Sequence, residues 1–193
     1  MVPGSPFPTG GAGSGNGQFG SHHITATVTR NFLYVANDGS DNISVFKIDT
    51  DTGGLTLVSG SPFATGGSAT IAGMSLAATP NGRFLYAGNA DSGNISAFRI
   101  ASNGALTPIG PPIPAGGTPD GIKVSPNGQF LGVALPSSDS VAMFRIRSTG
   151  ALVAVPGSPF AAGGPGLAVA ADVEINCKSN LLFDPKADRK SVV

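Results

Sequence analysis

The chain alternates between short apolar blocks and polar turn residues, and this pattern predicts strands rather than helices. Blocks such as Phe84-Leu85-Tyr86 and Ile95-Ser96-Ala97-Phe98 are rich in β-branched and aromatic residues. They are too short for helices and show no helical period. Asn-Gly pairs stand between such blocks at Asn81-Gly82 and Asn127-Gly128. Because Asn and Gly both tolerate positive φ angles, we expect each pair to form the corner of a tight hairpin.

The blocks recur with a period near 50 residues. The string Val2-Pro3-Gly4-Ser5-Pro6-Phe7 returns unchanged at 155–160, and shorter copies begin at Gly60 and Gly110. The glycines that open these copies, Gly4, Gly60, Gly110 and Gly157, are 56, 50 and 47 residues apart. Such a period is typical of stacked supersecondary units, each of which buries its apolar faces against its neighbours.

Four short strands in each repeat, labelled A to D from the inside outward, predict one blade of a β-propeller. The predicted fold class is all-β, a propeller fragment of about three and a half four-stranded blades within residues 1–183. The predicted blades cover about 22–59, 72–109 and 120–155, with an incomplete fourth over 167–183.

The composition argues against several classes of partner and site. Eleven Lys and Arg residues balance eleven Asp and Glu residues without a basic stripe, so we expect neither nucleic acid nor an anionic membrane surface as a partner. No apolar run approaches the length of about 18 residues that a membrane span needs. The lone Cys177 excludes an internal disulfide and a cysteine-based metal site, and we expect no metal or cofactor.

Both ends of the sequence depart from the repeat. Because Val2–Phe7 copies the end of the third blade, we expect the rest of a preceding D strand, and any signal peptide, upstream of Met1. The repeat stops after Phe183, and we interpret residues 184–193 as a non-native tail. Our hypothesis for its last six residues, Asp188–Val193, is a translated sequencing-adapter read.

The segment Pro80–Asn89, followed by Asn94–Ile100, resembles the β-propeller lactonase family, which includes propeller-type 6-phosphogluconolactonases and YVTN-type repeat proteins. The resemblance covers roughly residues 1–183 and implies a seven-bladed ring. About half of that ring would then be absent from the chain, and the missing blades would be needed to complete it. An open half-ring exposes blade faces, so we expect this fragment to be poorly soluble or to self-associate.

Candidate chemistry falls at the start of the inner strands, which line the channel of a propeller. Counting ten residues back from the first apolar residue of each B strand gives His22, Met74, Asp120 and Ala171, with Glu174 shortly afterwards. The lactonase resemblance implies a His, a Glu and Arg residues facing the channel, often with Pro-His at this point. His22 matches that His, and Asp120 follows a proline where a His could stand. The predicted catalytic residues are therefore His22, Asp120 and Glu174.

This predicted set is incomplete, and simpler interpretations stay open. A His or a carboxylate would act as general base on the water that attacks a lactone carbonyl, with an arginine stabilising the oxyanion. The family's arginine has no match, since Arg83, Arg99 and Arg145 fall in B or C strands. His22 is equally compatible with an exposed polar loop, and Asp120 with an acceptor of backbone hydrogen bonds in its own turn. The segment 37–42 carries oxygen ligands without calcium-loop spacing, so we predict a B-to-C turn.

Two functions therefore remain open. The first is hydrolysis of a small-molecule sugar lactone, as in a 6-phosphogluconolactonase. The second is a non-catalytic exported propeller that binds a protein or glycan ligand at its channel face. The family resemblance favours the first, whereas the missing arginine and the lack of a basic pocket for a phosphate favour the second. Periplasmic or extracellular location is favoured over cytoplasmic, because the Gly-Ser-Pro-Phe repeats look most like large bacterial members of the family, many of which carry export signals.

Overall fold

Three antiparallel sheets form the described part of the chain. The computed structural model describes residues 2, 4–11, 24–27, 31–69 and 73–163, with backbone pairing alone for 24–27. The first sheet contains β1 (Ile24–Thr27), β2 (Phe32–Asn37), β3 (Asn42–Ile48), β4 (Leu55–Leu57) and β5 (Phe63–Ala64). The second contains β6 (Met74–Ala78), β7 (Phe84–Asn89), β8 (Asn94–Ile100), β9 (Leu106–Pro108) and β10 (Ile113–Pro114). The third contains β11 (Ile122–Val124), β12 (Phe130–Leu135), β13 (Ser140–Ile146), β14 (Leu152–Ala154) and β15 (Phe160–Ala161).

Each sheet has the order of a propeller blade, which confirms the predicted fold class. The chain runs outward from an inner strand through two longer strands to the rim. The inner strands β1, β6 and β11 lie beside one another in that order, so they form one side of the central channel.

The outer strand of each blade is broken in two, and its second segment (β5, β10 or β15) was not predicted from the sequence. In the first blade, β4 pairs with the end of β3 and β5 pairs with its beginning. The Gly-Ser-Pro-Phe motif forms the break. The Ser61 hydroxyl accepts the backbone N–H of Val45 at 2.8 Å, and Ser158 does the same for Met143 at 2.8 Å. The serine therefore supplies a ladder bond where the strand leaves the sheet.

The Asn-Gly turns differ from the prediction in how the asparagine acts. Gly82 and Gly128 have φ angles of 64° and 69°, but neither asparagine has a positive φ. Instead the Asn81 side-chain oxygen accepts the Arg83 N–H at 3.0 Å, and the Thr79 hydroxyl donates to the same oxygen at 2.8 Å. The asparagine thus closes the turn through its side chain, while the glycine alone takes the left-handed conformation.

Residues of one strand alternate between two cores that lie between blades. Leu85 and Ala87 join the core shared with the first blade, and Phe84 and Tyr86 join the core shared with the third. Leu85 and Ala87 are fully buried, whereas Leu33 and Val35, at the same places in the first blade, are half-buried. Each blade therefore depends on its neighbours for a core, as the repeat period predicts.

In each of the first two blades, a strand B tyrosine makes a hydrogen bond to the following blade. The Tyr34 hydroxyl donates to the carbonyl of Gly104 at 3.2 Å, and the Tyr86 hydroxyl donates to the carbonyl of Gly150 at 2.9 Å. Both acceptors lie in the hairpin between the C and D strands of the following blade. Gly132 stands at the corresponding place in the third blade and has no hydroxyl to donate.

We expect Tyr86→Phe to lower the free energy of unfolding by about 1–2 kcal/mol, because the Gly150 carbonyl loses a buried partner. Burial also raises the pKa of Tyr86 above its ordinary value. Because the pKa of Tyr86 is higher in the folded state, its contribution to the free energy of unfolding is fully present below the unfolded pKa of about 10. This contribution is lost as the pH rises above that value. Urea denaturation at pH 8 and pH 11 measures both effects. An equal alkaline loss in wild type and Tyr86→Phe would contradict the pKa argument.

Candidate functional site

The candidate site lies at the face where the inner strands begin, which we call the connector face. It consists of the B-to-C turns (38–41, 90–93 and 136–139) and the described parts of the D-to-A connectors (65–69 with Gly73, and 115–121). Strand register places these segments together. The Asp120 N–H donates to the Ala134 carbonyl at 3.1 Å, and Leu135 lies opposite Ser140, which in turn pairs with Ala161.

Backbone and side-chain bonds tie each B-to-C turn to a connector. Residues 38–40 form the predicted turn as one 3-10 turn, which ends at Asp41 with a left-handed φ of 52°. The Asp41 carboxylate accepts the Ala69 N–H at 2.7 Å, and its carbonyl accepts the Thr65 N–H at 2.9 Å. In the second blade, the Ser92 hydroxyl accepts the Ser68 N–H at 2.9 Å. The described connector residues are therefore held against the B-to-C turns.

A buried asparagine and serine join each connector to the following blade. Asn89 Nδ2 donates to Asn94 Oδ1 and to Ser96 Oγ, both at 2.8 Å, and Ser96 Oγ donates to the Thr65 carbonyl at 2.8 Å. Asn37, Asn42, Ser44 and Thr9 repeat the arrangement in the first blade. A Cβ at Gly67 would collide with Asn89, so this glycine admits the connector to the asparagine.

The third blade replaces this polar arrangement with apolar contacts. Leu135 and Ala142 stand where the second blade has Asn89 and Ser96, and Ala115 stands where the first connector has Thr65. All three replacements are buried in the core between the second and third blades. Because the three positions change together, no polar group in this set loses its partner.

Asp120 is the predicted site residue that the structure places on the connector face. It precedes β11 on the inner strand and its side chain is exposed. Among the described residues, its carboxylate makes neither a hydrogen bond nor an ion pair; its backbone N–H makes the bond to Ala134. The alternative role is to accept hydrogen bonds from backbone amides in the turn that contains Asp120. The Asp120 carboxylate makes no such bond in the described part of the chain.

The other predicted site residues lie outside the described residues. These are His22 and Glu174, the two other residues of the predicted catalytic set. Met74, at the place in the second blade that Asp120 takes in the third, is 2% exposed and belongs to the core. This position is therefore buried and apolar in the second blade and exposed and charged in the third.

The three arginines of the B and C strands, Arg83, Arg99 and Arg145, lie at the edge opposite the connector face. The guanidinium groups of Arg83 and Arg99 each lie 5.4 Å from the centre of the Phe84 ring, and that of Arg145 lies 4.9 Å from Phe130. Arg99 also donates to the Thr149 carbonyl at 3.4 Å. These cation–π contacts give the arginines a packing role at this edge.

Lys123 is a charged residue of the channel wall that the sequence argument missed. It lies on β11, three residues after Asp120, and is half-buried. Among the described residues of the inner strands β6 and β11, Lys123 carries a charge and the others are uncharged. Because the family resemblance implies an arginine, the lysine in Asp120-Gly121-Ile122-Lys123 was not predicted as a site residue.

A family model described as "Lactonase, 7-bladed beta-propeller" matches residues 17–169. The match covers most of the chain, including all three described blades. A search of curated proteins finds none that matches. Among the described residues, no helix has the length and apolar character that crossing a membrane would require.

Solved structures give the same fold. A candidate 6-phosphogluconolactonase from Bacteroides uniformis is 25% identical with a TM-score of 0.62, covering 72% of this chain and 40% of its own. A candidate 6-phosphogluconolactonase from Bacteroides fragilis is 24% identical with a TM-score of 0.61, covering 69% and 37%. The periplasmic gluconolactonase of Pseudomonas aeruginosa is 24% identical with a TM-score of 0.59, covering 71% and 40%. The chain thus spans about two fifths of the length of these proteins.

Proposed function

The chain belongs to the lactonase family of seven-bladed β-propellers, and from this premise we propose that the complete protein hydrolyses a sugar lactone at the connector face. The observation that carries the proposal is the exposed Asp120 carboxylate at the start of an inner strand, without a hydrogen-bond or ion-pair partner among the described residues. An inner-strand carboxylate that other groups do not engage is available to a bound molecule. The names of the neighbours from Bacteroides and Pseudomonas support the same class of substrate.

We assign Asp120 the role of general base. Its carboxylate takes a proton from a water molecule while the water oxygen bonds to the lactone carbonyl carbon. The tetrahedral intermediate then expels the ring oxygen, and the new hydroxyl receives the proton from Asp120. One lactone and one water thus give one hydroxy acid, and the carboxylate is regenerated. Lys123 is the described inner-strand cation from which we expect stabilisation of the oxyanion.

His22 and Glu174 remain proposed partners of Asp120. The resemblance gives His22 the place of the family's histidine, and Glu174 lies three residues after Ala171, the start of the predicted fourth inner strand. We propose that the further blades of the ring supply the remaining contacts to the sugar. We also propose export of the protein, which the periplasmic neighbour from Pseudomonas aeruginosa supports.

The test is proton release by the complete protein acting on glucono-δ-lactone, 6-phosphoglucono-δ-lactone and galactono-γ-lactone in a pH-stat. We expect release above the spontaneous rate with at least one of the three, and a loss of rate in His22→Ala. Binding of sugars without any acceleration would instead identify a non-catalytic propeller that recognises a glycan.

A further inference from the structure

We propose that the connector face selects an uncharged sugar lactone and discriminates against a phosphorylated one. This inference rests on the proposed function and adds the substrate class. It comes from the distribution of charged side chains between the two edges of the blades. The net charge of zero does not reveal this distribution.

Five of the seven described acidic residues lie at the connector face, and Asp49 and Asp51 lie in the C-to-D turn of the first blade at the opposite edge. Asp120 and Asp91 are exposed there, as is Asp139, whose left-handed φ of 45° ends the turn of the third blade. Asp41 is half-buried and Asp38 is buried in the turn of the first blade. Every described blade therefore contributes at least one carboxylate to the edge at which the inner strands begin.

Most of the described cations lie at the opposite edge. The strand register pairs Lys47 with Phe32, Arg99 with Phe84 and Arg145 with Phe130, all at the far ends of the B strands. A strand of six residues such as β7 is about 20 Å long, which exceeds the reach of an arginine side chain. The stacking of Arg83, Arg99 and Arg145 on phenylalanine rings further holds them away from the connector face.

Lys123 lies between the two edges and does not reverse the sign of the connector face. It lies on β11 three residues after Asp120, about 10 Å further along the inner strand from the connector face. Lys123, like Asp91 and Asp139, takes part in an interaction with a neighbouring group. One lysine at this depth can stabilise an oxyanion, whereas the five carboxylates lie at the edge where the inner strands begin.

The electrostatic effect is large enough to measure. A phosphate monoester carries about −1.5 to −2 charges at pH 7. A single carboxylate about 10 Å away in water lowers the affinity for each of these charges by about twofold. Two exposed carboxylates therefore reduce kcat/KM for a phosphorylated lactone by roughly tenfold relative to the neutral lactone. Salt weakens this penalty, because the Debye length falls from about 10 Å at 0.1 M to about 3 Å at 1 M.

The experiment compares glucono-δ-lactone with 6-phosphoglucono-δ-lactone as substrates of the complete protein. We expect kcat/KM for the neutral lactone to be at least about tenfold higher, and we expect 0.5 M NaCl to narrow the ratio. In the double variant Asp91→Asn, Asp139→Asn, kcat/KM for the phosphorylated lactone should rise by about fivefold or more. Asp51→Asn is the matched control, since it removes an exposed charge from the C-to-D turn at the opposite edge and should leave the ratio unchanged.

Each outcome decides between the two proposals. Equal or preferential turnover of the phosphorylated lactone overturns this inference and leaves the lactonase function standing. A ratio that responds equally to Asp51→Asn and to the double variant also overturns it, because position would then not matter. If neither lactone is hydrolysed, the proposed function fails. Calorimetric titration with gluconolactam and its 6-phosphate then decides the inference: tighter binding of the neutral lactam supports it, and any other result overturns it.

Discussion

Gly150→Ala should lower the free energy of unfolding by about 3–5 kcal/mol, a large effect for the addition of one methyl group. Gly150 has a φ of 90°, a conformation that L residues rarely adopt. A Cβ there would lie 2.5 Å from the Phe84 ring and 2.5 Å from Ile109 Cδ1. Phe84 cannot easily retreat, because it is 3% exposed within the core between the second and third blades. Chemical denaturation of the variant measures the loss.

Gly73→Ala is the matched control for this substitution. Its φ of 94° imposes a similar backbone strain, but nothing lies within 4 Å of its Cβ position. We therefore expect a loss of about 1–2 kcal/mol there, from backbone strain alone. The difference between the two variants isolates the contact between blades. Equal losses would contradict the claim that the hairpin of the third blade is packed against the second.

Asp120→Asn should reduce kcat/KM for the lactone substrate by about 10²–10⁴-fold, the range typical of a lost general base. The amide keeps the size of the carboxylate but cannot accept a proton from water. Because the carboxylate is exposed and has no hydrogen-bond or ion-pair partner among the described residues, the free energy of unfolding should change by less than about 0.5 kcal/mol. Steady-state kinetics and denaturation of one preparation test both expectations.

The control for Asp120→Asn removes a carboxylate elsewhere on the molecule. Asp51→Asn makes the same chemical change in the turn after β3, at the opposite edge of the blade. Its kcat/KM should stay within about twofold of wild type. If Asp120→Asn also stays within that range, Asp120 is not the base, and His22 becomes the leading candidate.

The blades could be predicted from sequence because their signals are local. The apolar blocks Phe84-Leu85-Tyr86 and Ile95-Ser96-Ala97-Phe98, which the sequence pattern predicts as strands, lie in β7 and β8. The break in the outer strand was not predictable, because it depends on the Ser61 hydroxyl meeting the Val45 N–H across the sheet. The tyrosine bonds were also hidden, since Tyr34 and Gly104 are 70 residues apart.

The candidate site was less predictable than the fold, for a physical reason. A position at the start of an inner strand can face a neighbouring blade or solvent, as Met74 and Asp120 do, and the strand pattern is the same in both cases. The charge difference between the two edges could not be predicted either, because the positive and negative charges of the chain sum to zero. Strand register is needed to place the aspartates at one edge and the arginines at the other. Lys123 became a candidate only when β11 was placed innermost.

The most direct test of the account is a crystal structure of the complete protein with gluconolactam, an uncharged analogue that resists hydrolysis. We predict that the lactam lies on the connector face at the start of β11, with a water molecule between the Asp120 carboxylate and the lactam carbonyl carbon. Binding of the lactam at the opposite edge, beside Arg99 and Arg145, or outside the channel, would contradict the account.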